Sequence, residues 1–406
     1  MSISADSSPA ATATLEPARE SLWFYLLLAL LATAGFFYVN IAAAMVDGMI
    51  GSLGFTNAQA GTVMSANIYG TSVGGLAAVF MVRRLAWRPT LIVLFGTLLV
   101  LDGISMFVHS YPVMLGVRAV DGVVGGASVG VALSLLGRTH NPDRAFGMLL
   151  AFQFGCGGLA MLWLPTLVAE HGARVLFIAL GSMTLLALLV TSRLHVPGSA
   201  SAGVPSAARA SGTRRWWLVA IVLLALFLFQ AGNMALFAFI IPLGQSFGLG
   251  LEFISRTLAW ATWIGILGAV LVIVMGTKKG RVKPLLAAMI LTVVGVAVLA
   301  WSHLPLLFFV ANAGTAITWA FVVPLLFGMI SVLDPSGRLT TLAGFMSGLG
   351  LATGPMLAGL VAHTGNYVLL IGVAVALLVL SSVATLSSAQ RVDAMDRVRL
   401  EEENLT

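Results

Sequence analysis

The sequence predicts an all-α integral membrane protein with twelve transmembrane helices in two pseudo-symmetric six-helix bundles. Three observations carry that expectation. Of the 406 residues, 59% are hydrophobic and 9% are charged, against roughly 25% charged in an ordinary soluble domain. So few charges cannot cover a protein of this size in water, so most of the chain must be solvated by lipid. Apolar runs long enough to cross a hydrocarbon core of about 30 Å, which takes roughly 20 residues of helix, recur along the whole chain. The second half also repeats the first in the placing of its loop residues.

In order, residues 1–21 are polar, rich in Ala, Ser and Thr, and read as a cytoplasmic tail. They lack a basic segment followed by a short apolar stretch and a cleavage site. Residues 22–50 therefore read as an uncleaved first span. Spans two to six follow at 57–82, 89–108, 111–137, 144–168 and 173–193, completing an N-terminal bundle over 22–193. Ser192 to Arg215 reads SRLHVPGSASAGVPSAARASGTRR. A segment this rich in Ala, Ser, Gly and Pro buries no core and behaves as a flexible linker, here placed at 194–214. Spans seven to twelve fall at 215–245, 254–276, 283–302, 304–332, 338–363 and 366–388, a C-terminal bundle over 215–388. Residues 389–406 form a second polar, cytoplasmic tail. An even number of spans puts both termini on one side.

The basic residues say which side. With cytoplasmic termini, Arg174 and Arg256 fall outside, Arg118 falls within a span, and the other 18 of the 21 lie inside. The inward clusters are Arg83, Arg84 and Arg88; Arg138 and Arg144; the linker; Lys278, Lys279, Arg281 and Lys283; and Arg391, Arg397 and Arg399. This is the positive-inside pattern of a multi-pass protein in a bacterial-type inner membrane. Short clusters between apolar runs also exclude nucleic acid as the partner of the net charge of +6.

Enzyme classes find no support. The single cysteine, Cys156, can form neither an internal disulfide nor a multi-cysteine site. The six histidines sit at span ends or in loops without metal-ligand spacing, so no metal and no cofactor is expected. No glycine-rich loop ending in Lys-Ser/Thr is present for nucleotide phosphates.

The halves look like copies. RRLAWRPTL (83–91) matches KKGRVKPLL (278–286) at an offset of 195, Gly54-Phe55 matches Gly248-Leu249 at 194, and Pro142 and Arg144 match Pro335 and Arg338 at 193 and 194. A duplicated six-helix unit with a site between the repeats is a transporter architecture. Three local motifs then resemble the major facilitator superfamily, over essentially the whole chain. LGVRAVDGVVGGASVG (115–130) resembles that family's Arg-x-x-x-Gly motif of the fourth span, with Arg118 and Gly122 in place. Gly122, Gly126 and Gly130 share one helix face and allow close backbone approach. GLATGPMLAG (350–359), with Gly354 and Pro355, resembles a Gly-Pro motif usually found on the fifth span; here the sharper copy lies on the eleventh, and the fifth keeps only a loose version around Gly155, Gly157 and Gly158. The basic loops after spans two and eight resemble the family's loop motif but lack its acidic residue. The resemblance implies the major facilitator fold, alternating access, and a cavity lined by spans one, four, seven and ten.

Ionisable groups within a bilayer cost from about 2.5 to well above 10 kcal/mol, so they persist where they pair or meet water. Asp47, Asp102, Arg118 and Asp121 are the four that matter. Asp102 is seven residues before His109 and Arg118 is seven after Tyr111. At 1.5 Å per residue both lie about 10 Å below the outer surface, which makes them a pair. Asp121 is one turn from Arg118 and competes with Asp102 for it. Drawing the arginine away would let a carboxylate take a proton, so Asp121, Arg118 and Asp102, with Asp47 third, are the candidate proton-coupling residues. Either reading, a static pair or a relay, fits the sequence.

The uncharged candidates for a substrate cavity are Asn40, Gln153, Gln230, Asn233, Asn312 and Trp319. Gln230 and Asn233 share a helix face, as do Asn312, Thr315 and Trp319. The alternative for each is an interhelical hydrogen bond. Asn67 reads as a similar singleton, and Trp260 and Trp263 as a packing pair. The functional expectation is a monomeric secondary transporter, embedded in the lipid bilayer, that moves a small organic substrate with protons. Uptake of an organic acid and efflux of drugs or metabolites both fit; a non-transporting receptor on the same fold is the competing class.

Overall fold

The computed structural model describes residues 21–82, 84–194, 216–275, 280–334, 338–362 and 365–405. The N-terminal tail, the linker at 195–215, and Arg83, Lys278, Lys279 and Pro335 of the basic loops lie outside the described residues. Thirteen helices run α1 (Leu22–Asn40), α2 (Ala42–Leu53), α3 (Asn57–Met81), α4 (Trp87–Ser105), α5 (Tyr111–Leu136), α6 (Pro142–His171), α7 (Arg174–Arg193), α8 (Trp216–Ser246), α9 (Leu251–Met275), α10 (Val282–Val298), α11 (Pro305–Leu333), α12 (Arg338–Val361) and α13 (Tyr367–Leu405) among them. Twelve are long and apolar enough to cross a membrane; α2 is a shorter apolar helix. The chain is a twelve-span, multi-pass membrane protein.

Two spans differ from expectation. The first is not one helix: Ile41, at φ −106° and ψ 19°, leaves helical geometry and separates α1 from α2. Its N–H bonds Phe37 and Val39 carbonyls, and the ladder resumes with Met45 N–H on the Ile41 carbonyl. Neither Pro nor Gly causes the break. It sits beside Asn40, whose amide faces a cavity. The last span does not stop near 388, because α13 continues to Leu405.

With twelve crossings, the first described span begins and the last ends on the same side, here the termini face; the other is the distal face. Large apolar side chains such as Phe107, Ile273 and Val383 point outward, as lipid solvation requires. Inside, small residues let helices touch through their backbones. A methyl added at Gly122 would stand 1.9 Å from the Asn67 carbonyl oxygen, and one at Gly126 2.0 Å from that of Thr71. These glycines seat α5 on α3. In the other half Gly354 seats α12 on α8 near the Ala231 carbonyl. The next residue, Pro355, has no N–H to give to the Leu351 carbonyl one turn back, and its own carbonyl oxygen lies against Gly61 of α3.

Hydrogen bonds join the halves towards the distal face. Asn57 Nδ2 donates to the Ala362 carbonyl at 2.7 Å and to Tyr367 Oη at 3.4 Å. Met356 N–H donates to Ser65 Oγ at 2.8 Å, and Tyr69 and Thr353 hydroxyls meet at 2.8 Å. Deeper, Trp263 Nε1 donates to the Gly155 carbonyl at 3.3 Å, joining α9 to α6. Trp263 also packs edge-on to Trp260, the expected pair.

The acid missing from the second basic loop comes from another helix. Asp393 of α13 accepts from the Arg281 N–H at 2.7 Å and the Val282 N–H at 3.3 Å, capping α10, and pairs with the Arg281 guanidinium at 3.2 Å. Gly280, at φ +87°, makes the turn that brings the loop there; a Cβ would meet Asp393 Oδ2 at 2.9 Å.

Candidate functional site

Two polar features lie inside the bundle, and they are separate. The first is a cavity of about 400 Å³ between the two halves, within the usual range for small-molecule sites. Its wall is mainly apolar, with Phe36 and Val39 of α1, Phe154 of α6, and Met234 and Phe237 of α8. All six expected cavity residues line it: Asn40, Gln153, Gln230, Asn233, Asn312 and Trp319. Thr262, Thr315 and Ser347 join them. Among the described residues no ionisable side chain lines this cavity.

The amides have defined roles. Gln230 donates to Ser347 Oγ at 2.7 Å and accepts from Trp319 Nε1 at 2.7 Å. Those bonds fix its orientation and tie α8, α11 and α12 behind the wall. Asn233 Nδ2 donates to the Phe229 carbonyl at 2.8 Å and Asn312 Nδ2 to the Phe308 carbonyl at 2.7 Å. A carbonyl only accepts, so each asparagine turns its nitrogen to its own helix and keeps Oδ1 for other donors. Asn40 Nδ2 is buried without a hydrogen-bond partner. An unsatisfied buried amide is costly.

The second feature is a charge cluster within the N-terminal half. Arg118 Nη1 lies 3.1 Å from Asp102 Oδ1 and 3.3 Å from Asp121 Oδ2. The two aspartates do not compete, as spacing suggested; one guanidinium holds both. Its Nη2 donates to Ser105 Oγ at 2.7 Å and to the Leu101 carbonyl at 3.2 Å. Asn67 of α3 donates to Asp121 Oδ2 at 2.8 Å and to the Arg118 carbonyl at 3.1 Å. Rings of Tyr38 and Phe177 cover the guanidinium at 5.8 and 5.4 Å. Arg118 is completely buried, and Asp121 Oδ1, Arg118 Nε and Tyr38 Oη have no hydrogen-bond partner.

None of the cluster lines the cavity. Asp47 stands apart from both, half-buried on α2 and lining neither. Sequence reasoning missed Tyr38, Ser105 and Phe177, and took Asn67 for a singleton. Asn67 carried the clearer signal, being an amide within an apolar span. The link between the features is α1, where Tyr38 covers Arg118 and Asn40, two residues on, faces the cavity.

A family model described as Major Facilitator Superfamily matches residues 25–335. The fold is similar to the crystal structure of a mutant of the nucleoside transporter NupG, with a TM-score of 0.73 at 13% identity, covering 90% of this chain and 98% of that one. It is also similar to a mutant of the peptide transporter POT in complex with alafosfalin, with a TM-score of 0.69 at 14% identity, covering 91% of this chain and 94% of that one. Identities this low speak for the fold alone. No curated protein sequence matches the chain.

Proposed function

The chain belongs to the major facilitator superfamily of secondary transporters, and from that premise we propose that it moves a small, uncharged organic compound by alternating access, coupled to protons. One observation carries this reading: the inter-half cavity offers amides and aromatic surface but no ionisable group, while the buried charges lie elsewhere in one half. A charged solute in that cavity would lose its hydration without gaining a counter-charge, a large cost at this depth. An organic acid is therefore disfavoured. The free acceptors on Asn233 and Asn312 suit a solute with hydrogen-bond donors, and Asn40 and Gln153 suit its other polar groups.

The cluster suits proton coupling by charge count. One guanidinium and two carboxylates carry a net charge of −1, and one proton makes the cluster neutral. Asp121 Oδ1, with no donor to it, has room for that proton. Because α1 touches both features, a solute that shifts Asn40 would move Tyr38 against Arg118 and change the ease of protonation.

With cytoplasmic termini in a bacterial-type inner membrane, the bonds near Asn57, Ser65 and Tyr69 close the outer side, so this is an inward-facing state. In this reading Gly122, Gly126, Gly354 and Pro355 are the close contacts across which helices slide. Residues 22–193 and 215–388 are the moving units, 194–214 the cytoplasmic linker between them, and the working unit is a single chain, since one chain supplies both walls.

The test is uptake of labelled compounds into proteoliposomes, comparing uncharged solutes, nucleosides among them, with organic acids and dipeptides. Saturable movement of an uncharged solute, weakened in Asn312→Ala and Asn40→Leu, supports the reading. Transport confined to organic acids or to dipeptides contradicts it.

A further inference from the structure

We propose that a second cavity, at the distal face of the N-terminal half, is a water-filled vestibule through which protons reach the Arg118 cluster without passing the substrate cavity. It has a volume of about 230 Å³ and lies among the ends of α2, α4, α6 and α7. Its walls include Ser52, Met106, His109 and Arg174. Its deep residues are Ser105 and Phe177, and both touch Arg118. Ser105 Oγ accepts from Arg118 Nη2 at 2.7 Å, and the Phe177 ring covers the guanidinium at 5.4 Å. The cavity floor is thus the outer wall of the charge cluster.

The chemistry suits water and a mobile proton. Ser105 passes its own hydrogen to the Leu101 carbonyl, so it can accept from Arg118 or from water at the same oxygen. At the mouth, His109 and His171 are exposed imidazoles, with Glu170 3.8 Å from His171. Facing Asp102 from the packed helices are Arg118 and Asp121 of α5, Tyr38 of α1 and Thr184 of α7, with Arg174, His171, His109 and Glu170 farther out. A hydronium ion in the vestibule gives one proton to a carboxylate of the cluster and is left as water; one O–H bond breaks and one forms. The substrate cavity shares no lining residue with this vestibule. The distal contacts at Asn57, Ser65 and Tyr69 can therefore stay closed to substrate while protons enter beside them.

The inference rests on the proton-coupled reading, and one experiment separates their failures. Met106→Cys, and separately Ser52→Cys from the facing helix, are made in a Cys156→Ser background and modified in proteoliposomes with a membrane-impermeant thiol reagent. Infrared difference spectra then follow the protonated-carboxyl band, identified by its loss in Asp102→Asn or Asp121→Asn, after mixing into D₂O. Buried carboxyls exchange only as fast as water reaches them. The expected result is prompt exchange before modification and exchange slowed about tenfold or more after it, since the remaining route is opening of the structure. Equal rates with and without the plug at both positions overturn the vestibule while leaving proton coupling intact. A cluster that never shows a protonated-carboxyl band at any pH the fold tolerates overturns both.

Discussion

The ring of Tyr38 lies 5.8 Å from the guanidinium of Arg118, with its hydroxyl buried and unpartnered, one short step along α1 from the Asn40 that faces the cavity. The ring, rather than the hydroxyl, is what Arg118 uses. Tyr38→Phe should therefore keep or slightly raise thermal stability in detergent, because it deletes an unsatisfied polar atom worth about 1–3 kcal/mol when buried. Tyr38→Ala should lower stability by roughly 3–5 kcal/mol, as aromatic truncations in packed sites do. Equal losses in both variants would show that the hydroxyl has a partner.

Arg118 neutralises two carboxylates at once, so its loss is worse than the loss of either. Arg118→Gln should cost about 3–5 kcal/mol, the penalty for stranding a buried charge. Adding Asp102→Asn to it should restore part of that loss, by about 1–3 kcal/mol of coupling between residues in contact. A double-mutant cycle on melting temperatures measures this. Strict additivity would mean that the ion pair is not formed in the membrane.

Gly122 admits no side chain, whereas Gly116 of the same helix has open space around it. Gly122→Val should cost more than about 3 kcal/mol and abolish monodisperse elution, because the obstacle is the Asn67 backbone and cannot turn aside. Gly116→Ala should elute and melt like the parent. If Gly122→Val behaves normally, α3 and α5 are not packed this closely.

Asp393 replaces the acid that the loop motif lacks. Asp393→Ala should cost about 2 kcal/mol by removing the cap of α10 and a charge-assisted bond. Asp393→Asn, which still accepts from the Arg281 and Val282 N–H groups, should recover about half of it. Protease accessibility of the loop around Gly280 reports the same change. No change in either readout would leave this contact without a structural role.

The spans were legible because lipid demands long apolar runs, and charges such as Arg84 and Lys283 mark their ends. The break at Ile41 was not, because no Pro or Gly announces it and helix propensity there is ordinary. Asn40, Gln230 and Asn312 could be found as amides in apolar surroundings on the spans that the family resemblance points to. Their partners could not: Gln230 bonds Trp319 and Ser347, 89 and 117 positions away on two other helices, a relation set by packing alone. The pairing of Asp102 with Arg118 followed from helical rise, since both sit at one depth. Tyr38 and Phe177 escaped notice because aromatic residues in an apolar run carry no mark of what they cover. The carboxylate that pairs with Arg281 lies 112 positions away on α13, where nothing in the loop motif points to it.

The central claim is that an uncharged solute and a proton use different places in one chain. The direct measurement is internal pH in proteoliposomes as the transported compound is added, in the parent protein and in Asp121→Asn and Asp102→Asn. The account predicts solute-driven proton movement in the parent, and its loss in at least one variant that still exchanges labelled solute downhill. Solute movement with no proton flux in the parent, or flux unchanged in both variants, would contradict it.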